Sequence, residues 1–338
     1  MAGHDIIVFG GSAGALEAMN VIVDGFPPGL PAAVFVAFHS SPHSPGLLPE
    51  IFNHRGKLPA AHARDGEPVA PSRIYIAPPD HHLLLEHGRV RVTRGPKENR
   101  FRPAVDPLFR SAALAYGPRV VGVILSGWLD DGAAGLWAIK ARGGVAIVQE
   151  PEEAFARSMP EAALRQSRVD HRLRAEDIAP TLAELVAGLG PDERDFPVPE
   201  GLEIETRIAM EDKALQAGVR DIGEPSLFAC PECHGVLMRM KTGGGPRYRC
   251  HTGHSYTADS LLSEMTEVVE ESLWNAVRSV QESSILMEHM AAHAREAGQA
   301  DLAALYDRKA SEARGRAEMV RRAVMGHENL SEEKLAGG

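Results

Sequence analysis

The sequence predicts an α/β protein: a doubly wound, mostly parallel sheet with helices on both faces and one β-hairpin, followed by a small zinc-ribbon-like module and an α-helical hairpin. Three observations carry this prediction. Through about residue 190, short apolar runs alternate with helical patterns of about ten to fifteen residues. Next comes a compact cluster of cysteine and histidine, Cys230-Pro231-Glu232-Cys233 and then Cys250-His251-Thr252-Gly253-His254. From Thr257 onward, apolar residues recur at three- and four-residue steps.

The chain has 338 residues, enough for two domains and a large core. Its net charge of −10 disfavours a general nucleic-acid binder, which would carry a basic face. No apolar run reaches the ~18 residues of a membrane span, and Met1-Ala2-Gly3-His4-Asp5 lacks the basic start of a signal peptide. A cytoplasmic protein without membrane insertion is expected. All three cysteines lie between positions 230 and 250, so a metal site is expected rather than a disulfide framework.

Taken in order, Ile6-Ile7-Val8-Phe9 reads as a buried strand and 16–23 as the helix after it, ended by Phe26-Pro27-Pro28-Gly29. Strands are expected over 33–38, 60–63 and 73–77. Residues 82–86 and 89–93, joined by His87-Gly88, read as the β-hairpin. A helix over 106–116 leads to the most hydrophobic strand candidate, 120–125. Helix 133–142, strand 145–148, helix 160–166, strand 169–173 and helix 178–189 close the sheet. The expected domains are an α/β domain over 1–190, a linker over 191–227 with one short helix near 202–216, a Cys/His module over 228–256, a helical hairpin over 257–326 divided at Gly298, and a flexible tail over 327–338.

The turn Gly10-Gly11-Ser12-Ala13-Gly14 satisfies G-x-S-x-G, where glycines relieve a sharp strand-to-helix turn and a serine is left exposed. Alone the pattern is weak, because glycine-rich first turns also cradle phosphate. A dinucleotide site is disfavoured: Ser12 takes the second glycine's place, and the second strand ends in His39 where a ribose-binding acid belongs. Ser12, His39 and Asp131 each follow a predicted strand, so all three fall on the sheet's carboxyl rim, where such folds bind ligands. A serine needs an imidazole to take its proton, and the imidazole needs a carboxylate to fix its tautomer. The order Ser, His, Asp differs from that of α/β-hydrolases. Asp131 also reads as a cap for the helix from Ala133, which is compatible with catalysis. His43, His81 and His82 read as packing or hydrogen bonding in loops, and Arg102 and Asp106 as a loop–helix anchor ahead of the alternative that they line the substrate groove.

Six motifs in order then resemble the catalytic domain of the chemotaxis protein-glutamate methylesterases across the first ~190 residues. They are Gly10-Gly11-Ser12-Ala13-Gly14, Ala37-Phe38-His39, Ile76-Ala77-Pro78-Pro79-Asp80-His81-His82-Leu83, Arg102-Pro103-Ala104-Val105-Asp106-Pro107-Leu108-Phe109, Leu125-Ser126-Gly127-Trp128-Leu129-Asp130-Asp131-Gly132-Ala133-Ala134-Gly135 and Ser158-Met159-Pro160. The resemblance implies a serine hydrolase that removes methyl groups from glutamate esters on chemoreceptor helices, often with glutamine deamidation, and that uses no catalytic cofactor. It implies Ser12 as nucleophile, His39 as general base and Asp131 as its orienting acid, with Asp130 where the family usually has asparagine. Gly11, Ala13, Gly127 and Trp128 border the oxyanion and substrate loop. Ala13 replaces a usual threonine and Trp128 a usual methionine. With five residues ahead of Ile6, no receiver module is expected in this sequence. The other readings are an adaptor that keeps the fold with weak chemistry, and a serine esterase for a different ester.

Cys230, Cys233, Cys250 and His254 have the C-x2-C-x16-C-x3-H spacing of a tetrahedral zinc site, with His251 as the alternative fourth ligand and a hairpin tip at 242–245. Four protein ligands make such a zinc structural. The stripe Leu262, Met265, Val269, Leu273, Ala276 and Val280 has three uses: burial within the hairpin or on the zinc module, pairing of two copies as a homodimer, or binding a receptor's helical cytoplasmic region.

Overall fold

Six buried residues, Ile6–Gly11, form the central strand β1, and the glycine turn after them starts helix α1 at Ala15–Gly25. The computed structural model describes residues 3–188, 195–211, 214–241 and 243–326. Strands Ala33–Phe38 (β2), Ala60–His62 (β3) and Arg73–Ile76 (β4) follow, with helix α2 at Leu48–Arg55 between β2 and β3. That helix escaped the sequence reading because Phe52 is its one buried residue. The hairpin His82–Glu86 (β5) and Arg89–Thr93 (β6) has the expected register, with Glu86 opposite Arg89. Then come α3 (Val105–Tyr116), β7 (Val120–Ile124), α4 (Ala133–Ala141), β8 (Val145–Gln149), α5 (Ser158–Gln166), β9 (His171–Leu173) and α6 (Ala175–Ala187). The predicted end of the last helix at Leu189 lies outside the described residues.

The seven strands pair in the order β3-β4-β2-β1-β7-β8-β9, and every pairing is parallel. Side chains alternate between two cores. Ile7, Phe9, Val34, Val36 and Val123 pack with Met19, Ile22 and Leu182. Val8, Phe35, Tyr75 and Ile124 pack with Phe109, Leu136 and Met159 on the opposite face. Apolar runs buried on both sides require this sandwich of helices. The strand order reverses around β1, with β2 on one side and β7 on the other, which opens a crevice at their carboxyl ends.

The stretch read as a linker contains helices Leu202–Glu211 (α7) and Ala214–Ala217 (α8) and the start of strand Gly223–Ala229 (β10). Ile208 is fully buried, and Glu205 is neutralised by arginines distant in sequence, a partnership no local pattern reveals. With Val236–Met240 (β11), Arg247–Cys250 (β12) and Ser255–Thr257 (β13), β10 builds a four-stranded antiparallel sheet in the order β10-β11-β12-β13. Thr242, in the predicted hairpin tip, lies outside the described residues.

The chain divides into two compact units between Leu261 and Leu262. Most of helix α9 (Ala258–Glu296) and all of α10 (Ala300–Met325) belong to the second, and the chain reverses near Gly298 at φ 72°. Ser284 Oγ donates to Ala310 O at 3.0 Å, and the ion pairs Arg295–Asp307 and Arg314–Glu288 give the antiparallel register. Buried alanines, including Ala291, Ala294, Ala303, Ala310, Ala313 and Ala317, line α9 and α10. The predicted stripe is not buried: Leu262, Met265 and Val269 are 44%, 39% and 45% exposed. Alanine carries little hydrophobic signal, so a small-residue seam escapes a pattern that counts large apolar side chains. The predicted tail, 327–338, lies outside the described residues.

Candidate active site

Strand register creates the site. Gly11 pairs with Phe38 and Gly10 with Ile124, so the residues just beyond β1, β2 and β7 meet at one edge. His39 N donates to Gly11 O at 3.1 Å and Ser12 N to Ser126 O at 2.9 Å, which ties the three loops together. Glycines permit the closeness. A Cβ on Gly10 would come within 2.1 Å of Val105, and Gly14 starts α1 at φ 76° with Phe155 and Ser126 against it.

The imidazole and the acid are joined. His39 Nε2 lies 2.7 Å from Asp131 Oδ2, and both side chains are buried. Phe101 stacks on the His39 ring, with centroids 3.7 Å apart and planes 9° from parallel. Among the described residues His39 Nδ1 is buried with no hydrogen-bond partner, so one ring nitrogen is open to accept a proton. No hydrogen bond joins Ser12 Oγ to His39 among the described residues. Catalytic hydrogen bonds commonly tighten only around substrate.

Asp131 caps a helix, though not the one beside it in sequence. Gly132 precedes α4 without a side-chain cap, while the Asp131 carboxylate accepts Val105 N at 2.7 Å and Asp106 N at 3.2 Å, at the start of α3. Asn99 Nδ2 donates to its Oδ1 at 2.9 Å. Burial alone would raise this carboxyl, yet the His39 hydrogen bond, the Val105 N–H and the Asn99 amide outweigh it and hold it below the usual carboxylate range. The positive end of α3 favours the same ionised form. Asp106 accepts Gly135 N at 2.6 Å, and burial with the neighbouring Asp131 charge pushes it up to about 6. Asp130 is pushed up to about 7 by burial, against the Thr257 hydroxyl that donates to it at 2.7 Å.

The loop read from sequence as an oxyanion candidate, 127–129, is more constrained than its sequence suggests. Gly127 N donates to Ala156 O at 2.9 Å, so that N–H is already used, and a Cβ on Gly127 would meet Met159 Sδ at 2.1 Å. The N–H groups of Ala13 and Trp128 have no protein acceptor among the described residues. Gly11 contributes its carbonyl, to His39 N. Trp128 packs edge-on to the exposed Phe155 at 6.5 Å. Arg102 binds Asp80 and Gly95 O, as an anchor would.

Asn99 and Phe101 were missed by sequence reasoning. Their one signal was position, just ahead of the Arg102–Phe109 motif; Asn99 (φ 49°) and Arg100 (φ 76°) are left-handed, which a linear pattern does not show.

A second cluster lies in the β10–β13 sheet. The ligand atoms of Cys230, Cys233, Cys250 and His254 all fall within 4.8 Å of one another. Cys233 Sγ–Cys250 Sγ, Cys230 Sγ–His254 Nδ1 and Cys250 Sγ–His254 Nδ1 are each 3.6 Å. Tetrahedral ligands ~2.3 Å from zinc lie about 3.7 Å apart, so this donor set fits that ion. His254 Nε2 sits 3.4 Å from Glu232, the carboxylate–histidine arrangement that orients a metal ligand. His251 instead lays its ring against Gly235, where a Cβ would meet Cε1 at 2.2 Å.

The fold and its rim define a class: parallel α/β proteins with serine, histidine and aspartate gathered at the carboxyl edge of the sheet. Within that class, the chain belongs to the CheB methylesterase family, whose profile matches residues 7–182. It is 36% identical over 181 residues to protein-glutamate methylesterase/protein-glutamine glutaminase 2 of Anaeromyxobacter dehalogenans (strain 2CP-C), covering 54% of this chain and 53% of that one. It is 35% identical over 186 residues to protein-glutamate methylesterase/protein-glutamine glutaminase 1 of Xanthomonas campestris pv. campestris, covering 54% and 52%. The chain thus spans about half the length of these relatives. The crystal structure of the Thermotoga maritima CheB methylesterase catalytic domain superposes with a TM-score of 0.51 at 32% identity, covering 55% of this chain and 100% of that one.

Proposed function

We propose that this protein is a protein-glutamate methylesterase whose first ~190 residues form the catalytic domain. Ser12 attacks the carbonyl of a glutamate methyl ester while His39 takes its proton. The tetrahedral oxyanion is met by the N–H groups of Ala13 and Trp128, methanol leaves with the proton from His39, and water releases the acyl-enzyme by the same route. Glutamine deamidation would follow these steps with ammonia leaving. The observation that carries the proposal is the buried 2.7 Å His39–Asp131 pair on the rim shared with Ser12. The relatives' names support the substrate class, glutamate methyl esters and glutamine side chains of a protein; methylated chemoreceptors, met in the cytoplasm, are the proposed substrate. Among the described residues no helix is long and apolar enough to cross a membrane.

We further propose structural zinc on Cys230, Cys233, Cys250 and His254, supported by their spacing and distances. Exposed Leu286, Met290, Leu302 and Met319 support pairing of two copies through the helical hairpin, which sedimentation tests directly.

The decisive experiment labels wild type and Ser12→Ala with a fluorophosphonate, locates the adduct by mass spectrometry and measures methanol release from methylated receptor. Labelling and methanol release that both vanish with alanine support the reaction. Neither in the wild type would leave an adaptor, and labelling without methanol release would point to another ester.

A further inference from the structure

The catalytic acid is held by a side chain that is itself held by the Cys/His module. Asn99 is 3% exposed, and both ends of its amide are engaged. Nδ2 donates to Asp131 Oδ1 at 2.9 Å and to Asp106 Oδ2 at 3.2 Å. Oδ1 accepts Thr257 N at 3.0 Å, from the end of β13, and Ser260 Oγ at 3.2 Å, from the first turn of α9. The backbone repeats the link: Asn99 N donates to Ser255 O at 2.8 Å and Ser255 N to Lys97 O at 3.3 Å. Thr257 Oγ1 reaches the same acid loop by donating to Asp130.

An amide suits this position because it offers donors and an acceptor without charge. An aspartate would place a third carboxylate between Asp106 and Asp131. An alanine would leave Asp131 Oδ1 with the Asp106 N–H alone, freeing the carboxylate to turn away from His39.

We infer that Asn99 is a positioning residue for Asp131, and that β13 and the first turn of α9 hold Asn99 in place, so that the appended module sets the geometry of the active site. The inference rests on the triad reading above. It makes esterase activity conditional on the module's integrity.

The test compares full-length wild type, Asn99→Ala, Ser260→Ala and the double variant. The limiting rate of Ser12 labelling is measured separately from the half-saturating fluorophosphonate concentration. The low-field imidazole N–H proton of His39 is followed by NMR, a signature that does not depend on turnover. Loss of the buried hydrogen bond to the Asp131 carboxylate predicts a limiting rate ~10- to 100-fold lower for Asn99→Ala, with half-saturation unchanged and the low-field proton broadened or lost. Ser260→Ala, which removes one buried hydroxyl that also bonds Thr257 and leaves Asn99 in place, carries the test even where Asn99→Ala folds poorly; it should slow labelling about 3- to 10-fold, and the double variant should be no slower than Asn99→Ala. Wild-type rates and an intact proton signal in both single variants would overturn the inference and leave the triad standing. Additive effects would overturn the module's part in it. A wild type that never labels at Ser12 would overturn the triad reading and this inference with it.

Discussion

Arg249 Nη2 donates to Glu98 Oε1 at 3.0 Å across 151 residues of sequence, with both side chains essentially inaccessible to solvent. Around this pair lie Arg110 on Glu98, Arg247 on Glu205, and Arg110 within 3.8 Å of Asp106. Three guanidiniums thus face three carboxylates, joining the ribbon strand β12 to α3, α7 and the loop that carries Asn99. Burial alone would raise Glu98 and Glu205, yet the arginines hold both below the usual range. Removing one member strands an unbalanced buried charge. Arg249→Met is expected to destabilise the full chain by ~3–5 kcal/mol in urea unfolding, and adding Glu98→Gln should recover part of the loss.

Asp130 is the opposite case, a carboxyl kept protonated by burial. Its folded value of about 7 lies above the usual 3.8. Below pH 3.8 both states are protonated and nothing is lost; between there and pH 7 the unfolded chain releases a proton that the folded chain keeps, so stability falls as pH rises. Asp106, raised to about 6, acts in the same direction. Asp130→Asn keeps an acceptor for Thr257 and should stabilise the protein at pH 8 by on the order of 2–4 kcal/mol. It should leave stability at pH 3 nearly unchanged. Melting curves at the two pH values check this, and equal gains at both would refute the assignment.

Asp131→Asn preserves shape but replaces an acceptor with a donor facing His39. The imidazole then adopts the wrong tautomer, and methanol release should fall by on the order of 10⁴. Because Asp131 sits below the usual carboxylate range, its own protonation should not limit the wild-type rate near neutral pH.

Phe101 stacks on the His39 ring without touching its hydrogen bond to Asp131. Phe101→Ala removes ~0.5–1.5 kcal/mol of ring contact and should slow Ser12 labelling about two- to tenfold, with Phe101→Tyr close to wild type.

Metal removal should act through the fold. Purified protein should contain one zinc per chain by native mass spectrometry, and strong chelation or Cys233→Ser should lower the melting temperature. A protein that purifies without metal and melts unchanged in chelator would exclude the site.

The sheet was legible because its strands are apolar runs and two of its helices, α1 and α4, start at glycine turns, both local properties. Alternation of elements put Ser12, His39 and Asp131 on one rim before any contact was known. Cysteine spacing likewise singled out four candidate ligands whose donor atoms lie within 4.8 Å of one another. Which helix Asp131 caps, the role of Asn99, the Phe101 stack and the arginine–glutamate core were not legible. Each depends on residues brought together by strand register or by the docking of β12 and β13 on the loop before α3. A left-handed backbone at Asn99 looks, in sequence, like an ordinary polar loop residue, and a buried charge at Glu205 like an ordinary polar residue of a short helix. The sequence by itself thus determined the class of fold and the chemical groups present, because hydrophobic periodicity and turn chemistry are local. Tertiary structure alone decided what orients those groups, because the energy of a buried hydrogen bond or ion pair depends on partners far along the chain.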